Sequence, residues 1–156
     1  MGGFTLVELL VTIAIAAILM AVAAPAMTSF LAEQAAAGNA DELAAAFRFA
    51  RSEAIKRSAS ITVCASSDGQ ACGQDWKAGW IVTAGGTLLR VQNGLAAMSS
   101  LTADVDTVAF TSTGLVNGLT DGRSSFTFVP TGGDTSLQRV VRLDVQGKVK
   151  LTKGVE

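Results

Sequence analysis

The stretch Gly3-Phe4-Thr5-Leu6-Val7-Glu8 opens an apolar run in which no charged residue occurs from Leu9 through Ala32. At about 1.5 Å of rise per residue the uncharged run extends about 36 Å as a helix, enough to cross a bilayer core of about 30 Å. A segment this apolar needs lipid or a protein-filled core around it. Glu8 stands at its start, and a carboxylate beside hydrocarbon is costly without a partner, so the residue reads as functional. Two plainer readings compete. A secretory signal has a basic start, a shorter apolar stretch and small residues after it, and Ala23-Ala24-Pro25-Ala26 imitates its cleavage site. A simple transmembrane anchor accounts for the length of the run but not for the order of residues that opens it.

Beyond the run the helix is expected to continue. Residues Glu33 to Arg57 are rich in Ala, Glu, Arg and Leu, and Leu43, Phe47, Ala50 and Ala54 recur at helical spacing. Glu53 and Arg57 stand four apart, a favourable pair on one helix face. Pro25 and Gly38-Asn39 are weak points within one long helix. Six runs rich in Val, Ile, Thr and Phe follow: Ser60–Cys64, Gly79–Thr83, Thr87–Gln92, Thr107–Ser112, Ser125–Val129 and Arg139–Leu151. Gly85-Gly86 is read as the turn between the second and third. Leu95–Asp106 shows no clear period and is read as a loop or a short edge element. A helix followed by antiparallel strands gives an α+β fold with the helix lying on the sheet.

Composition bounds the chemistry. A chain of 156 residues holds one soluble domain plus an anchor, and its 12 basic against 13 acidic residues imply no bulk attraction to polyelectrolytes. Histidine is absent, which removes the commonest general base and zinc ligand. Cys64 and Cys72 flank Ala65-Ser66-Ser67-Asp68-Gly69-Gln70-Ala71, a stretch that favours a turn. A metal site needs further ligands that the sequence lacks, and a redox pair usually has closer spacing, so a structural disulfide is the better reading. Trp76 and Trp80 suit either a ligand platform or packing, with packing the commoner role. No nucleophile elbow, phosphate loop or metal-ligand spacing is present, so no catalytic residue, metal or cofactor is assigned and an enzyme is not expected.

Gly3 followed by Phe-Thr-Leu-Val-Glu and a long apolar run resembles the class III signal of type IV pilins and type II secretion pseudopilins. The resemblance implies that a prepilin peptidase cuts between Gly3 and Phe4 and N-methylates Phe4. Glu8 then matches the family's acid, and Pro25 its helix proline, both as assembly residues. Met1-Gly2-Gly3 lacks the basic residues that usually precede the glycine, which puts the true start upstream or the leader trimmed. Arg48-Phe49-Ala50-Arg51-Ser52-Glu53-Ala54-Ile55-Lys56-Arg57, Ile61-Thr62-Val63-Cys64, Cys72 and Trp76-Lys77-Ala78-Gly79-Trp80-Ile81-Val82 are similar to the GspH/FimT group of minor pilins and pseudopilins. The implied organisation is a leader remnant at 1–3, a transmembrane and filament-core helix at 4–32, its amphipathic continuation at 33–57 and a β-rich periplasmic domain at 58–156. The implied life history is a single pass of the bacterial inner membrane, then a pilus or pseudopilus built with other pilins. The short soluble domain favours the pilus branch; a pseudopilin in protein export is the alternative.

The last hairpin can be read further. Val141, Leu143 and Val145 alternate with Arg142 and Asp144, and beyond Gly147, Val149 and Leu151 alternate with Lys148 and Lys150. Keeping both apolar sets on one face requires the three-residue loop Val145-Gln146-Gly147, with glycine at a left-handed position. Asp144 then faces Lys148 and Arg142 faces Lys150. Arg139, Arg142, Lys148, Lys150 and Lys153 form an expected outward basic group that makes DNA a second candidate partner. In the resembling FimT proteins that take up DNA, the matching loop is Gly-Arg-x-Arg. Here it is Gly147-Lys148-Val149-Lys150, which keeps the charge but loses the bidentate arginine geometry.

Overall fold

A computed structural model describes residues 5–154, with the side chains of residues 22–26 outside the description. The chain divides into two compact units, Met1–Leu31 and Ala32–Glu156. Helix α1, Leu6–Arg57, begins in the first and ends in the second.

In the second unit the helix supplies one wall of the core. Ala36, Ala40, Leu43, Ala44, Phe47, Ala50 and Ala54 are fully buried and recur at the three- and four-residue spacing that lines one face. Five of these seven are alanines, so the sheets approach the helix backbone closely and Leu43 and Phe47 carry most of the apolar volume. Glu53 binds Arg57 at 2.6 Å and Lys56 at 3.6 Å near the helix end, where cations also suit the carbonyl dipoles.

The strands form two antiparallel sheets. Along the chain they are β1 (Ile61–Ala65), β2 (Gly79–Ala84), β3 (Thr87–Asn93), β4 (Met98–Ala103), β5 (Thr107–Phe110), β6 (Val116–Asn117), β7 (Arg123–Pro130), β8 (Arg139–Asp144) and β9 (Val149–Lys153). One sheet has the order β3-β2-β1-β5-β6 and the other β4-β7-β8-β9. All six expected strand runs are present, with Gly85-Gly86 turning the chain where Ala84 pairs with Thr87. The aperiodic stretch at 95–106 contains edge strand β4. Its pairing shifts between Met98 and Ser100, so Met98 and Leu101 both turn inward and strict alternation is lost.

Aromatic rings join the layers. Phe47 lies 5.1 Å from Phe126 and 6.3 Å from Phe110, and Trp76 meets Phe126 edge-on at 4.9 Å. Both tryptophans are buried, and Trp76 Nε1 donates to the Val105 carbonyl at 2.8 Å, so they act as core residues. Cys64 and Cys72 form a disulfide with Cα atoms 5.5 Å apart. Inside its loop Asp68 Oδ1 accepts hydrogen bonds from Gln70 N, Ala71 N and Ser66 Oγ.

Candidate functional site

Two surfaces carry the sequence-derived candidates. The first is the apolar half of α1. Every described side chain from Thr5 to Ala21 and from Met27 to Leu31 is exposed, with Leu6 at 78%, Ile18 at 67% and Met20 at 70%. Leucine, isoleucine and valine thus face outward around the whole helix, a surface water does not tolerate at this size. Gly3 and Phe4 lie outside the described residues, as does the side chain of Pro25. Among the described residues no helix is long and apolar enough to cross a membrane, and the described side chains of the apolar run are interrupted by the interval 22–26. The span therefore rests on the sequence.

Glu8 has a local geometry that the sequence reading did not draw out. Thr5 Oγ1 accepts the Glu8 backbone N–H at 3.3 Å, and the Leu9 N–H reaches the Thr5 carbonyl at 3.2 Å. Thr5 is therefore the N-cap, and Thr5-x-x-Glu8 has the spacing of a capping box. The pattern was available in the sequence. Glu8 also places its charge at the positive end of the helix.

The second surface is the basic hairpin. The three-residue loop is present: Gly147 N donates to Asp144 O at 2.9 Å, and Lys148 N donates to Asp144 Oδ1 at 2.9 Å. Arg142 stands opposite Lys150 in the expected register. The outward group of five, however, is divided. Strand alternation puts Arg139 and Lys153 on the face shared with Val141 and Leu143, toward the helix. There Glu33 Oε1 lies 3.0 Å from Arg139 Nη2 and 2.6 Å from Lys153 Nζ. The hydrogen bond from Lys153, then the charges of Lys153 and Arg139, hold the Glu33 carboxyl below its usual range against the opposing effect of desolvation. These two cations clamp the ends of β8 and β9 to α1 and do not extend the outer patch, which corrects the expectation.

What remains outside is Arg142, Lys148 and Lys150, joined by a cation the sequence reading missed. Arg123 opens β7 directly opposite Asp144. Arg123, Arg142, Leu143, Asp144, Lys148 and Lys150 line a cavity of about 270 Å³. In sequence Arg123 follows the turn signal Asp121-Gly122, and only strand pairing brings it to the hairpin. The hairpin tip is held from the helix side, where Arg51 Nη1 donates to the Gly147 carbonyl at 3.4 Å. Among the described residues no group of His, Cys, Asp and Glu is placed to hold a metal ion.

A long helix packed on antiparallel sheets, with an apolar half presented to its surroundings, defines a type IV pilin-like subunit. Residues 39–147 match the model of the type II transport protein GspH, and residues 1–24 match the prokaryotic N-terminal methylation motif. The chain belongs to the GspH family of minor pilins and pseudopilins. Among solved structures it is similar to the type IV minor pilin FimU of Pseudomonas aeruginosa, at 26% identity and a TM-score of 0.62, over 75% of this chain and 87% of that one. It shares its fold with the minor pseudopilin EpsH of the type 2 secretion system of Vibrio cholerae, at 17% identity and a TM-score of 0.53, over 76% of this chain and 96% of that one. No curated protein matches the chain in sequence. The family is one of filament subunits, so membership carries assembly with other pilins and processing at the methylation motif.

Proposed function

We propose that this chain is a minor subunit of a type IV pilus, assembled through its N-terminal helix to prime or cap the filament. The observation that carries the reading is the apolar surface exposed around α1 from Thr5 to Ala21, which needs lipid or neighbouring helices to cover it. In this reading the peptidase frees and methylates Phe4, and residues 4–32 hold the subunit in the inner membrane. Residues 33–57 continue the helix into the periplasm, where 58–156 fold. On extraction the same helix packs among others, Glu8 pairs with the Phe4 amine of a neighbour, and Pro25 lets the helix bend. The role is structural and not enzymatic.

The pilus is favoured over secretion because identity to FimU reaches 26%, whereas the likeness to EpsH at 17% speaks for the fold alone. The alternative is a minor pseudopilin of type II secretion. A gene deletion scored for twitching and transformation against exoprotein release decides between them. Lost twitching with intact release supports the pilus; the reverse supports secretion. DNA contact during uptake would fall to Arg142, Lys148 and Lys150, since Glu33 engages Arg139 and Lys153. A gel shift of the full chain that disappears in Lys148→Ala/Lys150→Ala supports that contact, and no shift at low salt removes it.

A further inference from the structure

We propose that the end of α1 and the two turns packed against it form a docking surface for a different filament subunit, one that presents a carboxylate set among apolar side chains. The inference rests on the filament-subunit reading and adds a second contact, on the β-rich unit, to the one made by the N-terminal helix.

Three exposed apolar side chains meet here. Ile55, in the last turn of α1, is 51% exposed, Leu115 is 50% and Val145 is 38%. The turns that carry them bring them together. Gly114 lies against the helix, since a methyl group there would stand 2.9 Å from Ile55 Cδ1. Leu115 is the next residue, and beyond it Val116 N donates to the Val145 carbonyl at 2.9 Å. Backbone hydrogen bonds fix both turns. Gly114 N donates to Thr111 O and Thr111 N to Leu115 O, each at 2.8 Å, and Gly147 N donates to Asp144 O at 2.9 Å. An apolar side chain held in solvent by a stiff turn adds nothing to the core, and little ordering entropy is lost when a partner covers it.

Arg51 decides which partner fits. It runs between the two turns, so that methyl groups on Gly114 and Gly147 would stand 3.1 Å and 3.2 Å from its Nε. That Nε is buried with no hydrogen-bond partner, and Nη1 makes one long bond, to the Gly147 carbonyl at 3.4 Å. Among the described residues no carboxylate is paired with this guanidinium. Glu53 is taken by Lys56 and Arg57, and Asp144 Oδ1 accepts the Lys148 backbone N–H. An arginine fork that lacks an acid, rimmed by apolar side chains that exclude water, has the composition of a binding hot spot for a carboxylate. A second copy of this chain offers the wrong charge. The other large apolar side chains exposed in the β-rich unit, among the described residues, are Leu88 and Val91, which stand on either side of Arg90 in β3. Pairing the surface with itself would set Arg51 against Arg51. A nucleic-acid backbone gains nothing from the apolar rim.

The test is made in cells that assemble the filament. A photo-crosslinking amino acid replaces Leu115 in the full chain, and the attached peptide is identified by mass spectrometry. We expect one segment of a different pilin, with Asp or Glu among apolar residues. Ile55→Ser, on the exposed rim, should lower the cross-link yield about fivefold. Arg51→Glu should abolish the cross-link, and a lysine in place of the acid on the other subunit should restore it, a rescue that a misfolded variant would not allow. A cross-link to a second copy, to lipid or to a segment without a carboxylate overturns the proposal. So does an unchanged yield in Ile55→Ser, or failure of the charge swap. Absence of the unsubstituted chain from sheared filaments defeats the filament reading itself, whereas presence there without a Leu115 cross-link defeats only this surface.

Discussion

A methyl group on Gly147 would stand 2.7 Å from the Gly114 carbonyl oxygen and 3.1 Å from Arg51 Cδ, on a backbone whose φ is +72°. Both the left-handed conformation and the close backbone neighbour oppose any side chain there. Gly147→Ala is therefore expected to cost about 1–3 kcal/mol, read as a lower urea midpoint at unchanged slope. A midpoint equal to the wild type would show that the loop relaxes at no cost. Half of this residue's role was legible in the sequence. Counting apolar parity on either side of the loop placed glycine at the bend, because register depends on local alternation. Its packing on Gly114 and Arg51 left no such trace, since Arg51 lies 96 residues away and nothing local encodes the meeting. Arg123 was missed for the same reason: a single cation after a turn looks like solvated surface until strand pairing sets it opposite Asp144.

Helix α1 and the hairpin show which element properties a sequence displays. The buried stripe of α1 was readable because one helix turn repeats every few residues, and it is buried as expected. Strand β4 was not, because the bulge between Met98 and Ser100 hides its alternation. The division of the basic group follows from strand parity and could have been read: residues 139 and 142 differ by an odd number, so they point to opposite faces. At the start of α1 two roles of Glu8 can be separated. Glu8→Gln keeps a capping-box residue but removes the charge. If pairing with a neighbouring amine drives assembly, this variant inserts and folds normally yet is missing from sheared filaments on immunoblot. Wild-type amounts of Glu8→Gln in filaments would mean that capping, not charge, is what assembly needs. The disulfide offers an element-scale stability test. Replacing both Cys64 and Cys72 by alanine is expected to lower stability by about 2–3 kcal/mol, from the entropy of a loop whose ends are eight residues apart. An unchanged denaturation midpoint would mean that the Asp68 hydrogen bonds alone order the loop.

Among the described residues the shifted acids all point one way, and this fixes how stability depends on pH. Glu33 is held below 4.5 by its hydrogen bond from Lys153, and Glu53 by its hydrogen bond from Arg57. Asp68 and Asp134 are held below 3.8, the first by the backbone N–H groups of Ala71 and Gln70, the second by the Ser136 hydroxyl. A carboxyl that is more acidic folded than unfolded binds fewer protons in the folded state, so its contribution is complete above the unfolded value. It is lost as pH falls through the folded value. With no histidine in the chain, no imidazole adds a titration near neutrality. The full chain in neutral detergent should therefore show a nearly flat unfolding temperature from about pH 7 down to about pH 5, then a decline on further acidification. Glu33→Gln isolates the clamp between α1 and the ends of β8 and β9. The variant should unfold at lower temperature than the wild type at about pH 7, and the gap should close as acid protonates Glu33 in the wild type. A gap that stays constant into strong acid would show that glutamine fails there for reasons of shape. The Glu33 charge would then contribute nothing to holding Arg139 and Lys153 against the helix.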